Sequence, residues 1–201
     1  MKLILQSILQ LILWTVVCGI IYPLVMTVGL QAVFPKQAAG SLVMRDGKVV
    51  GSVFIAQQFS SMKYFWPRPS AGNSSPVAGA PNAYATVPSG ASNLGPTSAA
   101  LQTNVQGFAK ALRVANKLPA DAPVPADLVF TSASGVDPEI SPEAARFQVT
   151  RVATARGIPV DQVAALVEKF VQPRQWGFLG EPRVNVLLLN LALDEANPPK
   201  A

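Results

Sequence analysis

The sequence contains no histidine among its 201 residues, and this absence excludes several kinds of catalytic site. A Ser-His-Asp triad, a histidine-ligated zinc centre and acid–base catalysis by imidazole all need that side chain. Cysteine is nearly absent too. The single cysteine, Cys18, lies in an apolar run near the N-terminus. The rest of the chain therefore has no disulfide and no thiolate chemistry, which is compatible with either side of a membrane.

Sequence motifs for nucleotide and nucleic-acid binding are missing as well. The glycine spacings match neither a Walker-type phosphate loop nor a dinucleotide fingerprint. The net charge is +5, and the 16 lysines and arginines are spread along the chain. Nucleic-acid binding needs a basic stripe or interleaved aromatics, so we predict no nucleic-acid partner. We interpret Asp137/Glu139 as turn and helix-entry residues, and Asp194/Glu195 as a solvated end.

Residues 3–35 carry no charged side chain and lie between Lys2 and Lys36. A membrane core about 30 Å thick needs roughly 20 apolar helical residues, and this run exceeds that length. A secretory signal is the alternative, with 37–40 as its cleavage site, but the apolar core of a signal has only about 7–15 residues. We therefore predict that residues 1–36 form a single N-terminal transmembrane anchor.

Two glutamines in this run, Gln6 and Gln10, are four residues apart and share one helix face. Either Gln6 lies near the lipid headgroups, or this face packs against other membrane helices through polar contacts. We favour helix packing and name both glutamines as packing candidates. Pro23 removes a backbone donor in mid-span, so we expect a kink there. Basic residues flank both ends of the span, and their numbers do not settle which side the remaining domain faces.

Residues 37–201 are predicted to form one soluble mixed α/β domain. Apolar periodicity and turn signals place its elements in the order hairpin 41–56, helix 98–116, strand 124–134, helix 141–157, helix 160–172 and buried strand 183–194. Ser141 is the expected N-cap of the helix 141–157. The three arginines of this helix, Arg146, Arg151 and Arg156, are expected to be solvated. The whole chain is therefore predicted to be one transmembrane helix followed by an α/β domain.

One catalytic alternative is compatible with the missing histidine, a membrane-anchored Ser-Lys peptidase. In such enzymes a desolvated lysine activates a serine nucleophile. The Ser61-Met62 dipeptide with nearby lysines is all that points this way, and no matching lysine context is evident. We therefore favour a non-catalytic protein.

Six ordered blocks stand out along the sequence: Gly51-Ser52 with Gln58-Phe59, YFWPRPSA from Tyr64, SGASNLGPT from Ser89, DPEISPEAA from Asp137, the run from Gln148 to Gly157, and GFLGEPRVNVL from Gly177. Together these blocks resemble the C subunit of the bacterial Kdp potassium-transporting ATPase. The order, the spacing and the N-terminal anchor all fit that family. The chain departs from it at Glu139, where histidine is frequent, and at Ala91, where a second glycine is usual.

The resemblance implies a non-catalytic subunit of a high-affinity, ATP-driven potassium uptake complex in the bacterial inner membrane. Its expected partners are a potassium-channel-like A subunit, a P-type ATPase B subunit and a small F subunit. The soluble domain is expected outside the cytoplasm. No cofactor or metal is expected on this chain alone, since ATP and potassium act at the level of the complex.

Two roles for such a subunit stay open at this point. In one, it assembles and stabilises the complex while its domain caps the external potassium entrance. In the other, it is a catalytic chaperone that raises the ATP affinity of the B subunit, with residues 89–92 resembling an ATP-binding-cassette signature loop. The missing second glycine and the absence of a phosphate loop disfavour nucleotide binding by this chain alone.

The blocks supply seven candidates for partner contacts or for structural roles, namely Arg68, Ser89, Ser92, Asn93, Gly95, Glu181 and Arg183. Arg68 lies between two prolines and either pins a turn or contacts a partner. The run 92–97 is expected to turn into the helix, with Thr97 as its cap. Glu181 and Arg183 are expected to pair locally. No catalytic residue is predicted.

Overall fold

The computed structural model describes residues 1–45, 47–70, 85–86 and 89–198. The chain separates into two compact units, Met1–Leu42 and Val43–Ala201. The first unit is helical, and the second combines helices with short sheets. The predicted class, one N-terminal apolar helix plus a mixed α/β domain, is confirmed. The predicted domain boundary after residue 36 stays a prediction.

The first unit is a long apolar helix. It consists of helix α1 (Lys2–Val16), a π-helical turn (Val17–Ile21) and helix α2 (Tyr22–Val33), and a short helix α3 (Pro35–Ala38) follows. Among the described residues, Lys2–Val33 is the one helix long and apolar enough to cross a membrane, with a mean hydropathy of 2.2. The wide π-helical turn ends two residues before Pro23, whose ring crowds the preceding turn and whose nitrogen cannot donate. The backbone thus accommodates this proline by a π turn.

The second unit opens with the predicted hairpin. Strands β1 (Leu42–Arg45) and β2 (Lys48–Ser52) form a two-stranded sheet, and Gly47 has the positive φ of +73° that a tight turn favours. Asp46, the other predicted turn residue, lies outside the described residues. Strand β3 (Gln57–Gln58) then pairs antiparallel with β4 (Ala85–Thr86).

The remaining elements build the core of the domain. In chain order they are α4 (Ala99–Ala115), a 3-10 turn (Ala126–Leu128), β5 (Glu139–Ile140), α5 (Pro142–Arg156), α6 (Val160–Phe170), β6 (Val171–Gln172), β7 (Arg183–Asn185) and α7 (Val186–Ala196). The strands form an antiparallel sheet in the order β5-β7-β6, in which both Ile140 and Val171 pair with Val184. Helices α5, α6 and α7 pack with this sheet around buried valines, leucines and aromatics.

Two of the predicted helices begin at capping residues. The hydroxyl of Ser141 accepts from the backbone N–H of Ala144 at 3.0 Å, and α5 ends at Gly157 in the left-handed conformation. Helix α4 is also confirmed, but its cap is Ser98 and not the predicted Thr97. The predicted helix over 160–172 is confirmed as α6 with its last residues in β6.

Two predicted strands are wrong. In the segment 124–134 the structure has only a 3-10 turn, because Pro125 cannot donate to a strand ladder and Asp127 instead accepts from the backbone N–H of Ser141. In the segment 183–194 only the first three residues are a strand. The side chain of Asn185 caps the backbone N–H of Leu188 at 3.0 Å, so the apolar run continues as helix α7. An apolar run buried on all sides has no period that separates strand from helix.

An irregular segment runs through the core beside these helices. Asn190 accepts from the backbone N–H of Phe65 at 2.8 Å and donates to its carbonyl at 2.9 Å. Gln148 does the same for Trp66, at 2.8 and 3.1 Å. Two buried amides therefore replace the ladder partners that this extended backbone lacks.

Three charged side chains that the sequence patterns place in solvent are buried. Arg151, Arg156 and Asp194 lie inside the domain, whereas Arg146 and Glu195 are at the surface as expected. Arg156 donates to Asp194 at 2.6 Å, which explains how both charges tolerate burial. The interpretation of Asp194 as part of a solvated end is therefore wrong.

Candidate partner-contact site

Four of the seven predicted contact residues, Arg68, Ser89, Ser92 and Arg183, bond to one stretch of the chain, Thr131–Glu139, which we call the 131–139 segment. It leads into strand β5 and helix α5. Its residues bond to three of the family-like blocks, through the backbone of Pro69, the loop at Ser89 and the side chain of Arg183. The fold therefore gathers blocks that are far apart in the sequence.

The loop at Ser89 and Gly90 is bonded to this segment through the carbonyl of Ser134. That oxygen accepts from the backbone N–H of Gly90 at 2.9 Å and from the hydroxyl of Ser89 at 2.8 Å. The loop and the 131–139 segment come close together at Gly135. A Cβ added there would lie 2.5 Å from the carbonyl oxygen of Gly90 and 2.9 Å from Ser70 Oγ. With a φ of +71° as well, position 135 requires glycine.

A row of four alternating charges lies at the other end of the segment. Arg68 donates to Asp137 at 2.9 Å, and Arg183 donates to Glu139 at 2.8 Å. The second oxygen of Asp137 accepts from the backbone N–H of Glu139 at 3.0 Å, so the two ion pairs are joined. All four side chains are between 26 and 35% exposed. The row is therefore a half-exposed strip in which each arginine is paired with a carboxylate, so its net charge is close to zero.

The turn that leads into helix α4 supplies three further candidates. The hydroxyl of Ser92 accepts from Thr131 at 3.5 Å, which ties the turn to the 131–139 segment. Asn93 is exposed and has a φ of +52°, a conformation that asparagine tolerates better than most residues. The carbonyl of Gly95 accepts from Ser98, the residue that caps the helix. The expected turn is thus present, with Asn93 at the surface.

Glu181 does not pair with Arg183, contrary to the sequence prediction. It accepts from Arg174 at 2.6 Å across the base of the loop between β6 and β7, because Arg183 is held by Glu139. Sequence reasoning missed the tip of this loop, where Trp176 and Phe178 are exposed. The signal was present in the run WGFLG, which sets large apolar side chains between glycines and next to charged residues.

The remaining sequence candidates lie elsewhere. Gln6 and Gln10 are both exposed on helix α1. Ser61, the nucleophile of the peptidase alternative, is used in a turn. Its hydroxyl accepts from the backbone N–H of Lys63 at 3.3 Å, and its carbonyl accepts from the indole of Trp66 at 3.0 Å. Within the described ranges, no group of three or more histidines, cysteines or carboxylates could hold a metal ion.

This arrangement presents hydroxyl, amide and carbonyl oxygens beside paired charges on an ordered surface. Such groups can form hydrogen bonds with another protein surface at a small cost in ordering. The backbone N–H of Gly90 already donates within the domain. The groups around the 131–139 segment are therefore chemically suited to hydrogen bonding with another protein.

Comparison with known proteins agrees with the sequence resemblance. A family model described as "KdpC: K+-transporting ATPase, c chain" matches residues 4–195. The potassium-transporting ATPase KdpC subunit of Methylococcus capsulatus is 49% identical over 189 residues, which cover 94% of this chain and 95% of that relative.

Two other relatives carry the same name. The KdpC subunit of Geobacter sulfurreducens is 51% identical over 199 residues, which cover 98% of this chain and 100% of the relative. That of Methylorubrum populi is 53% identical over 185 residues, which cover 90% of each chain. With matches of this extent, the chain belongs to the KdpC family, the c chain of the K+-transporting ATPase.

Proposed function

We propose that this chain is a non-catalytic subunit that assembles and stabilises an ATP-driven potassium uptake complex, with its soluble domain capping the external potassium entrance. Its partners are the channel-like A subunit, the P-type ATPase B subunit and the small F subunit. The apolar helix crosses a bacterial inner membrane once, and the domain lies outside the cytoplasm. Membership of the KdpC family supports the complex, and the finer role rests on the contact surface.

The observation that carries the capping role is the pair of hydrogen bonds accepted by the backbone carbonyl of Ser134. This carbonyl accepts from the N–H of Gly90 and from the hydroxyl of Ser89, so the loop likened to a nucleotide-binding signature is held against the domain surface. Phosphate binding by a loop needs backbone N–H groups that point outward. A loop ordered in advance suits protein contact, because little entropy is lost on docking.

Substitutions at Arg68 and Asn93 test the proposal in the assembled complex. Asn93→Gly removes the side chain and keeps the backbone conformation, since glycine tolerates a positive φ. Lys117→Gly is the matched control, because Lys117 is also exposed and has a φ of +55°. We expect Arg68→Ala and Asn93→Gly to weaken co-purification of the subunits or potassium affinity, and Lys117→Gly to change neither.

The same variants separate the cap from the chaperone. With the complex assembled, the ATP concentration for half-maximal activity should be that of the wild type. The thermal midpoint of the variant chains should also stay close to that of the wild type, because the half-exposed pair of Arg68 with Asp137 contributes about 0–1 kcal/mol. A selective rise in the ATP requirement, with assembly and potassium affinity intact, would contradict the cap and support the chaperone.

A further inference from the structure

The loop between strands β6 and β7 exposes large apolar side chains that none of the described residues covers. We call residues 175–180 the aromatic loop. Trp176 is 84% exposed, Phe178 68% and Leu179 42%. Two aromatic rings and a leucine at one loop tip are an unusual surface for a water-soluble domain, and such patches mark interaction sites.

The aromatic loop is ordered by its own backbone. Gln175 and Leu179 exchange both of their N–H and carbonyl groups, each bond being 2.9 Å long. The N–H of Gly177 donates to the carbonyl of Arg174, and that of Phe178 to the carbonyl of Gln175, both at 3.2 Å. The tip is therefore a closed turn, held in shape before any partner arrives.

Trp176 adopts a strained conformation within this turn. Its φ is +52°, in the left-handed region that costs a bulky residue free energy. The following Gly177 has a φ of +83°, and the backbone reverses direction there so that Leu179 lies opposite Gln175. Strain of this kind, kept at a position that contributes no buried contact to the core, is typical of functional sites.

The charges around the loop indicate what covers it. Arg174 pairs with Glu181 across the base at 2.6 Å, and Arg183 pairs with Glu139 at 2.8 Å. Both arginines next to the tip are therefore neutralised by carboxylates. Loops that bind anionic lipid use unpaired lysines and arginines. An electrically balanced base beneath a Trp-Phe-Leu tip instead complements an apolar depression with a neutral rim on a protein.

The size of the tip also suits a protein partner. Aromatic side chains bury about 150–250 Å² each, and a standard interface buries about 800 Å² on each partner. The aromatic loop is thus large enough to be the central anchor of such an interface, with the polar strip of Arg183 and Glu139 at its rim. Tryptophan and arginine are the residue types enriched in interface hot spots.

We propose that the aromatic loop is the hydrophobic anchor by which the soluble domain docks into an apolar pocket on another subunit of the potassium-transporting ATPase. This inference rests on the proposed assembly function and names the part of the chain that makes the contact. Trp176 and Phe178 fill the pocket, and Leu179 covers its edge.

The test compares Trp176→Ser combined with Phe178→Ser against Phe54→Ser in the complete complex. Phe54 is a matched control because it is 65% exposed in the same domain and lies in a different segment. We expect the double variant to dissociate from detergent-solubilised complex at least tenfold faster than wild type, and Phe54→Ser to dissociate at the wild-type rate. An equal loss in both variants, or none in either, overturns the assignment.

A labelling experiment identifies the occupant. A Trp176→Cys variant in a Cys18→Ser background is treated with a maleimide, once as the full chain alone and once in the assembled complex, both in detergent. We expect at least tenfold slower labelling in the complex. Two outcomes overturn the proposal. One is slow labelling of the chain alone in detergent at high concentration, which would indicate self-association. The other is slow labelling of the chain alone in phosphatidylglycerol vesicles, which would indicate burial in lipid.

The two proposals fail in different ways. A complex that assembles normally while position 176 labels freely contradicts the anchor and leaves the assembly function intact. A wild-type chain that does not co-purify with other subunits contradicts the assembly function itself.

Discussion

Arg151 is a buried cation that is held by neutral groups. Its guanidinium lies 4.1 Å from the centre of the Trp66 ring and donates to the carbonyl of Met62 at 2.8 Å and to the side-chain oxygen of Gln148 at 2.6 Å. In the described part of the chain no carboxylate lies within ion-pair distance of it. Burial lowers the pKa of Arg151 to about 9, so the group stays charged at neutral pH. Its role is to fix the irregular segment before Trp66 on helix α5.

The first prediction concerns this arginine. Arg151→Ala leaves the buried carbonyl of Met62 without a donor, which costs about 1–3 kcal/mol. It also removes one of the two donors to the oxygen of Gln148 and the contact with the Trp66 ring. We expect the free energy of unfolding to fall by about 3 kcal/mol in denaturant titrations of the full chain in detergent. Arg146→Ala on the same helix is the control, since its ion pair with Glu168 is exposed. Equal effects of the two substitutions would contradict the role given to Arg151.

Asp194 joins three segments of the domain at one carboxylate. One oxygen accepts from Arg156, and the other accepts from Arg45 at 3.2 Å and from the hydroxyl of Tyr64 at 3.1 Å. Burial, and then the charge and hydrogen bond of Asp194, raise the pKa of Tyr64 above its usual value of 10.0. The folded state therefore binds the phenol proton more tightly than the unfolded state does. That contribution to stability is complete below about pH 10 and is lost as the pH rises through the folded-state pKa.

The second prediction follows from these contacts. Asp194→Asn should lower the free energy of unfolding by about 3–5 kcal/mol, because two arginines then face an uncharged amide. It should also lower the pKa of Tyr64, measured by ultraviolet absorbance against a Tyr64→Phe reference. Glu195→Gln at the exposed neighbouring position should change stability by no more than about 0.5 kcal/mol. A Tyr64 titration that does not move in Asp194→Asn would refute the coupling.

At the scale of elements, the local signals in the sequence determine some structures and not others. Helix α5 was predictable because Ser141, Pro142 and Gly157 mark its ends. Helix α7 was not, because its apolar residues are buried on every side and only the cap at Asn185 distinguishes it from a strand. The burial of Asp194 was also beyond local pattern, since its partner Arg45 is 149 positions away.

The contact site shows the same division. The family-like blocks indicated Arg68 and Arg183, but their partners on strand β5 and before it depend on how the sheet assembles. The aromatic loop was missed because apolar residues in sequence are ordinarily assigned to the core. Whether an apolar side chain is exposed depends on the assembled fold. A loop of six residues is too short for a periodic pattern that would predict the exposure of its side chains.

The third prediction concerns the apolar helix. Gln6 and Gln10 share one face of α1, whereas the hydroxyl of Ser7 donates to the backbone carbonyl of Leu3 at 2.9 Å. We expect Gln6→Leu with Gln10→Leu to leave membrane insertion intact and to weaken co-purification with the other subunits, because interhelical hydrogen bonds contribute about 0.6–2 kcal/mol. Ser7→Ala is the control and should have no effect. Undiminished co-purification of the double variant would mean that the helix contacts only lipid at this face.

At the scale of the whole molecule, the capping role requires the soluble domain to lie outside the cytoplasm. Charge does not decide this, because Lys2 flanks the helix on one side and Lys36 on the other. The fourth prediction uses single cysteines in a Cys18→Ser background. Lys110 is exposed on helix α4, so Lys110→Cys reports the side of the domain, and Lys2→Cys reports the opposite side. In intact cells an impermeant maleimide should label Lys110→Cys and leave Lys2→Cys unlabelled until the membrane is permeabilised. The reverse pattern would place the domain beside cytoplasmic ATP, contradict the cap and make the chaperone the better account of this subunit.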